Sequence, residues 1–228
     1  MKKVLYLIAL FISIGIFALA WNYSRNRLPT PETPFASIGP ETKIVDASSD
    51  LGKSIIASAR NQIGVVIKYD TAYFADALVP PDSGVCADVV WRALKDNGYD
   101  LRTEVDNDIK NNPNDYQNVD QPDNAIDFRR VKNLKVFFDK YAKSLTLDVI
   151  SGSIENLSYW QAGDLVTFAP LPESGLTHIA IVSDKRRRDG VPLLIHNYGR
   201  GTVEDDYLTN WPSEITGHYR LDKLIKKD

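Results

Sequence analysis

Apolar positions recur at helical spacing in three stretches of the chain, and beyond residue 145 they give way to short runs rich in β-branched residues. In DLGKSIIASARNQIG, Leu51, Ile55, Ile56, Ala59 and Ile63 fall on one helical stripe, with Asp50 as its cap and Gly64 as its stop. VCADVVWRALKDNGYD repeats the pattern with Val85, Val89, Val90, Ala93 and Leu94 and closes at Asn97-Gly98. A third amphipathic stretch, RRVKNLKVFFDKYAKSL, carries Val131, Leu134, Phe137, Phe138 and Tyr141. The later runs LTLDVI, GDLVTFAP, THIAIVSD, VPLLIHNYG and ITGHYRL read as strands, separated by turn signals at Pro170 to Gly175 and at Asp189-Gly190. Helices first and strands afterwards predict an α+β domain, its N-terminal helices packed on an antiparallel β-sheet.

Between these elements the pattern is polar or broken. VVIKYDTAYFADALVPPDSG passes through Pro80-Pro81 and Gly84 and is expected to be mostly loop. Residues 100–126, dense in Asp and Asn, are expected to form an inserted surface loop with room for one helical turn; the spacing of a calcium loop is missing. At the start of the chain, two lysines precede an unbroken, mostly apolar run that ends at Ala18-Leu19-Ala20. Residues 1–21 therefore read as a signal peptide or an uncleaved membrane anchor. Residues 22–48 read as a Pro-rich linker, and the folded domain is expected over 49–228. Either reading of the N-terminus exports the domain to the periplasm or the outer face of the inner membrane, and a retained segment would make the membrane a partner.

Composition narrows the choice of partner. The 228 residues are 43% hydrophobic and 25% charged with a formal charge of -3, an ordinary globular balance without the basic footprint of nucleic-acid binding. The chain has a single cysteine, Cys86. In an exported protein it cannot form an internal disulfide, so it is an inert buried residue, an intermolecular partner or a working thiol.

Cys86 is predicted to open the second helix directly after Gly84-Val85, where the helix dipole favours a thiolate. A base must come from elsewhere, and the three histidines are His178, His196 and His218. His178 opens one predicted strand and His196 ends the next, so a hairpin turning at about residues 185–190 would bring both imidazoles to one edge of the sheet. This spacing permits a triad in which Cys86 attacks, His178 takes and returns the proton, and His196 orients His178. The short spacings that pre-arrange zinc ligands are missing, and no cofactor or metal is expected.

The residues also resemble a known family, the NlpC-type cell-wall peptidases of the papain-like superfamily. ARNQIGVVIKY, GVCADVV, WQAGDLVTF, THIAIVSD and LLIHNYG stand in the order of that family's motifs, over about residues 50–220. More narrowly, GVCADVVWRAL and LTHIAIVSD are similar to the bacterial family called domain of unknown function 1287. The resemblance implies a papain-like domain with Cys86 as nucleophile, His178 as general base and acid, and His196 as third member. It implies amide hydrolysis, with peptidoglycan stem peptide as the substrate and partner. An inactive cell-wall-binding module or a thiol acyltransferase would share the same fold.

In such enzymes a tyrosine upstream of the cysteine helps to hold the substrate carbonyl or oxyanion. Tyr69 and Tyr73 are the candidates, and Tyr69 fits the Gly-x-x-x-x-Tyr segment better. The chain departs from the pattern where DTAYFAD replaces the usual tryptophan and glycines, and where Ala87-Asp88 stands in place of Ser-Gly. Asp88 is either a grip for a substrate amine or a cap of the helix N-terminus, with the cap preferred. His218 and Asp164 are read as structural, the basic run Lys185 to Arg188 as a hairpin tip, and Trp160 as core.

Overall fold

Ser49 opens the first element. Its hydroxyl accepts from the amide of Gly52 at 3.1 Å, so the cap is this serine and not Asp50. The structure, a computed structural model, describes residues 48–74 and 79–222. The apolar N-terminal run and nearly all of the linker lie outside the described residues, among which no helix is long and apolar enough to cross a membrane.

Helix α1 (Asp50–Arg60) buries Ile55, Ile56 and Ala59, while Ile63 lies past its end and is 40% exposed. A two-residue parallel ribbon follows, β1 (Lys68–Tyr69) against β2 (Ser83–Gly84). Then come α2 (Cys86–Lys95), α3 (Leu101–Asn111), α4 (Val131–Tyr141) and the short α5 (Ile154–Leu157).

The acidic stretch 100–126 is therefore not the surface loop that its composition suggests. Leu101, Val105 and Ile109 recur every four residues inside it, α3 buries all three, and Tyr116 and Ala125 join the core. Much of the polarity is used locally: Asp108 accepts from Lys140 at 2.8 Å and from the hydroxyls of Tyr116 and Tyr141 at 2.5 Å each.

The sheet holds β3 (Lys143–Ser144), β4 (Leu165–Phe168), β5 (His178–Arg186), β6 (Pro192–Asn197), β7 (Thr202–Asp205) and β8 (Ile215–Arg220). Its order is β3-β8-β4-β5-β6-β7 and each pair is antiparallel, as the helix-then-strand pattern predicts. LTLDVI does not contribute a strand. Leu147 and Ile150 are exposed, and the segment folds over the Asn156 side chain, which takes the Ile150 amide at 2.8 Å and donates to the Asp148 carbonyl at 3.1 Å.

The β5–β6 hairpin turns at residues 187–191, closed by the Arg187 amide on the Val191 carbonyl at 2.8 Å. Its basic tip is already partnered: Lys185 pairs with Glu204, Arg186 donates to the carbonyls of Trp160 and Gly190, and Arg187 pairs with Asp189 and Asp206. That leaves little of it for an external anion.

Helices α1 and α2 pack on β5 and β6, and α4 packs on β8. The approach of α1 depends on two glycines. Gly163, at φ +88°, enters β4 against the backbone of Gly52, and a Cβ on either would intrude on the other segment. Replacing Gly163 by Ala should lower unfolding free energy by about 2–4 kcal/mol through strain and overpacking, read as a fall in urea midpoint with an unchanged slope.

Candidate active site

The ribbon β1–β2 delivers the chain into α2. Gly84 takes φ +151° opposite Tyr69, and a Cβ there would lie 2.9 Å from the Asp88 carboxylate, which accounts for the glycine two residues before the cysteine. Asn197, at the end of β6, ties ribbon to sheet by donating to the carbonyls of Lys68 at 3.1 Å and Gly84 at 2.9 Å.

Cys86 is the first residue of α2 and 3% exposed. Helix α2 packs on β5 here, and the backbone amides of Ile179, Ala87 and Cys86 itself are the groups that favour the charged form of the thiol. Ile179 follows His178, so the thiol meets the sheet at the start of β5. Tyr69 lies near enough for its phenol to feel the charge on Cys86.

His178 and His196 come together as the hairpin geometry requires. His178 Nε2 and His196 Nδ1 are 2.7 Å apart, and both rings are buried. His196 Nε2 lies 2.8 Å from Asp205 Oδ1, on the neighbouring strand β7. The indole of Trp211 stacks on His178 with centroids 4.1 Å apart and 13° between planes.

Residues 56–221 match the model of the family described as Domain of unknown function (DUF1287). The chain belongs to this family. A relative from Escherichia coli strain K12, "Uncharacterized protein YijF", is 37% identical over 215 residues, covering 91% of this chain and 97% of its own. Two crystal structures of an N-acetylmuramoyl-L-alanine amidase from Bacteroides uniformis ATCC 8492 are similar at 13% and 12% identity. Each covers 75% of this chain and 99% of its own, with TM-scores of 0.42 and 0.44, a likeness too distant to support any argument about chemistry.

In this DUF1287 domain the sequence-predicted residues separate into two groups. His178 and His196 are in contact, Cys86 opens the helix that packs on β5, and Tyr69 feels the charge on Cys86, whereas Tyr73 is 58% exposed and its hydroxyl lies 3.5 Å from Asp123. Asp88 is no grip for a substrate. It is fully buried, accepts from the Val85 amide at 2.7 Å, and pairs with Arg129 at 3.1 Å. Its cap is the reciprocal half of a capping box, the position-three carboxylate reaching back to the N-cap amide. His218 is structural as expected: both ring nitrogens are taken, by the Thr146 carbonyl at 2.8 Å and Asp164 at 3.0 Å, and its ring stacks on Trp160.

Asp205 and Arg129 escaped the sequence reading, which left Trp211 open between lining a groove and filling the core. Arg129 joins Asp88 to the carbonyls of Asp70 at 2.7 Å and Ala72 at 2.6 Å, so one guanidinium fixes the segment after Tyr69 against the helix of Cys86. A signal for Asp205 existed, an acidic residue at the end of the run TVED, but that run has too few apolar residues to be recognised as a strand.

Burial decides the protonation states. It pushes the Cys86 thiol up to about 11, against the pull of the three amides, and Asp88 adds to the rise. The helix-start acidity expected of this thiol is therefore outweighed. Burial, followed by the neighbouring His196, holds His178 well below the usual imidazole value, so it is neutral at pH 7. Tyr69 is kept protonated, first by burial and then by the nearby Cys86.

Two outcomes follow. Asp88→Ala leaves the Arg129 charge buried without its partner and should cost about 3–5 kcal/mol in urea unfolding. Because the fold depresses the His178 pKa, its stabilisation is complete above about pH 6.5 and is lost as the unfolded chain gains a proton below it, by up to about 1.4 kcal/mol per pH unit. His178→Gln should flatten that part of the wild-type stability curve between pH 7 and 5.

Proposed function

We propose that this protein is an exported cysteine hydrolase with a papain-like, NlpC-type domain that cleaves amide bonds, with peptidoglycan stem peptides as its substrate. One observation carries the reading: the only thiol of the chain opens a helix packed on β5, the strand that begins with His178, a neutral imidazole bound through Nε2 to His196. The substrate class and the exported location rest on the sequence motifs and the apolar N-terminus.

Nucleophile and base start as a neutral pair. Cys86 Sγ attacks the scissile carbonyl as its proton passes to His178, forming the carbon–sulfur bond and a tetrahedral oxyanion. The protonated Tyr69 hydroxyl and the backbone amides at the N-terminus of α2 are the donors proposed for that oxygen. Collapse breaks the carbon–nitrogen bond, and the His178 imidazolium gives its proton to the departing amine. Water, deprotonated by His178, then attacks the thioester, releasing the acid and restoring the thiol.

Trp211 and His196 hold the His178 ring from its face and its edge. A ring held in this way has little side-chain freedom left to lose at the moment of reaction. The neutral thiol separates this site from a pre-formed thiolate–imidazolium pair.

The purified protein should release cleaved stem peptide from muropeptides while Cys86→Ala releases none, as resolved by liquid chromatography and mass spectrometry. Equal turnover by the variant, or none by either protein, overturns the reading for that substrate. Alkylation of Cys86 by iodoacetamide should accelerate steadily from pH 7 towards 11, since burial pushes its thiol up to about 11. A rate that is already at its plateau by pH 6 would instead mean a stored thiolate.

A further inference from the structure

The proton positions along the histidine pair are dictated from its far end. A carboxylate can only accept, so the 2.8 Å contact between Asp205 Oδ1 and His196 Nε2 requires the proton on that nitrogen. In its neutral form His196 has one N–H, which leaves Nδ1 as a lone pair. The 2.7 Å contact from that lone pair to His178 Nε2 then requires the proton on His178 Nε2. The remaining nitrogen of His178, Nδ1, is left bare.

We propose that Asp205 is a positioning residue that sets the tautomers of both histidines, so that His178 offers an unprotonated Nδ1 to the Cys86 thiol. The inference rests on the reading of Cys86 as nucleophile and His178 as base.

The surroundings fit this role. Asp205 is 6% exposed, and its second oxygen, Oδ2, faces the Tyr198 hydroxyl at 3.3 Å and Arg200 at 3.4 Å, so the two oxygens are divided between the surface and His196. His196 and Asp205 sit on adjacent antiparallel strands in the registered segment Leu194↔Asp205 to Asn197↔Thr202, which makes the contact a property of the sheet. The stacking of Trp211 on His178 prevents the ring flip that would exchange its nitrogens. When the thiol proton moves to His178 Nδ1, His178 keeps its Nε2–H bond to His196, and the new positive charge is offset through His196 by the carboxylate.

Nitrogen-15 spectra of the imidazoles in the full-length protein at pH 7 test this without any substrate. In the wild type, both His178 and His196 should show Nε2 as the protonated nitrogen and Nδ1 as the bare one. In Asp205→Ala, His196 loses its acceptor, and the pair should show averaged or reversed patterns. His178 protonated at Nδ1 in the wild type, or spectra unchanged by Asp205→Ala, overturns the proposal.

Alkylation of Cys86 at pH 8 should slow by at least about tenfold in Asp205→Ala, part of the roughly 10²- to 10⁴-fold that a positioned base supplies. Asp205→Asn, which keeps a carbonyl acceptor in a side chain of the same size, should fold like the wild type and recover part of the rate. If Asp205→Ala does not fold, the wild-type and Asp205→Asn spectra decide alone: an Asp205→Asn rate equal to wild type with identical spectra would show that the carboxylate charge is not needed and overturn the role given to it. Absence of muropeptide cleavage would refute the assigned substrate and leave the tautomer measurement intact.

Discussion

The buried pair of Asp88 and Arg129 is the contact on which the candidate site depends. Both side chains are almost wholly removed from water, at 0% and 2% exposure, and such a pair survives only when every remaining donor and acceptor is also used. Here they are: the carboxylate takes the Val85 amide and the guanidinium takes two carbonyls of the 70–72 segment. The pair thereby couples the cap of the helix that begins with Cys86 to the loop that follows Tyr69. Arg92 extends the clamp to the carbonyls of Pro80 and Ser83 at 2.9 and 2.8 Å, so the proline-rich approach to the cysteine is fixed by side chains from the helix that it enters. Two hydrophobic residues of similar volume could fill the same space, but they would not register a loop on a helix N-terminus.

The sheet carries two histidine assemblies that are alike in parts and different in consequence. His218 stacks on Trp160 with centroids 3.7 Å apart and bonds Asp164; His178 stacks on Trp211 and bonds His196. The difference lies in the second nitrogen. That of His218 is occupied by a backbone carbonyl, which leaves nothing for chemistry, whereas His178 commits one nitrogen to His196 and opens the strand on which the helix of Cys86 packs. Asp164 also takes two donors from Arg220, at 2.8 and 2.7 Å, and accepts the Gln161 amide at 2.9 Å. Its motif, Gly-Asp before a core strand, is thus a brace between β4, β8 and the preceding turn.

How much of this was legible depended on how local each signal is. The stripes of Val85 to Leu94 and Val131 to Tyr141 gave their helices because periodicity is a property of a single segment. The meeting of His178 and His196 was legible because a hairpin relates two neighbouring strands by a short turn. Asp205 was not, since its strand TVED has little hydrophobic pattern and gains its place only by pairing with β6. α3 was hidden for the opposite reason: the Leu101, Val105 and Ile109 spacing was present, but the surrounding Asp and Asn outnumbered it, and tertiary burial overrode composition. LTLDVI failed as a strand because Leu147 and Ile150 face solvent and, past the Leu145 amide that still pairs with the His218 carbonyl, the backbone is held by Asn156. The partner of Asp88 lies 41 residues away, a separation at which no pattern along the chain identifies it.

The resting electrostatics bear on where the site spends its stabilising contacts. Raising a thiol from 9.0 to about 11 disfavours the thiolate by roughly 3 kcal/mol, and the depressed His178 disfavours the imidazolium in the same sense. Charge is therefore not stored in the resting site. In the proposed reaction it appears only as the carbon–sulfur bond forms, negative on the former carbonyl oxygen and positive on His178. Under that proposal the helix N-terminus and the Tyr69 hydroxyl answer the first charge, and Asp205, through His196, answers the second. Interactions that strengthen only as charge develops lower the barrier without tightening the ground state, so a buried and weakly acidic thiol is compatible with catalysis when the surrounding dipoles are arranged for the transition state.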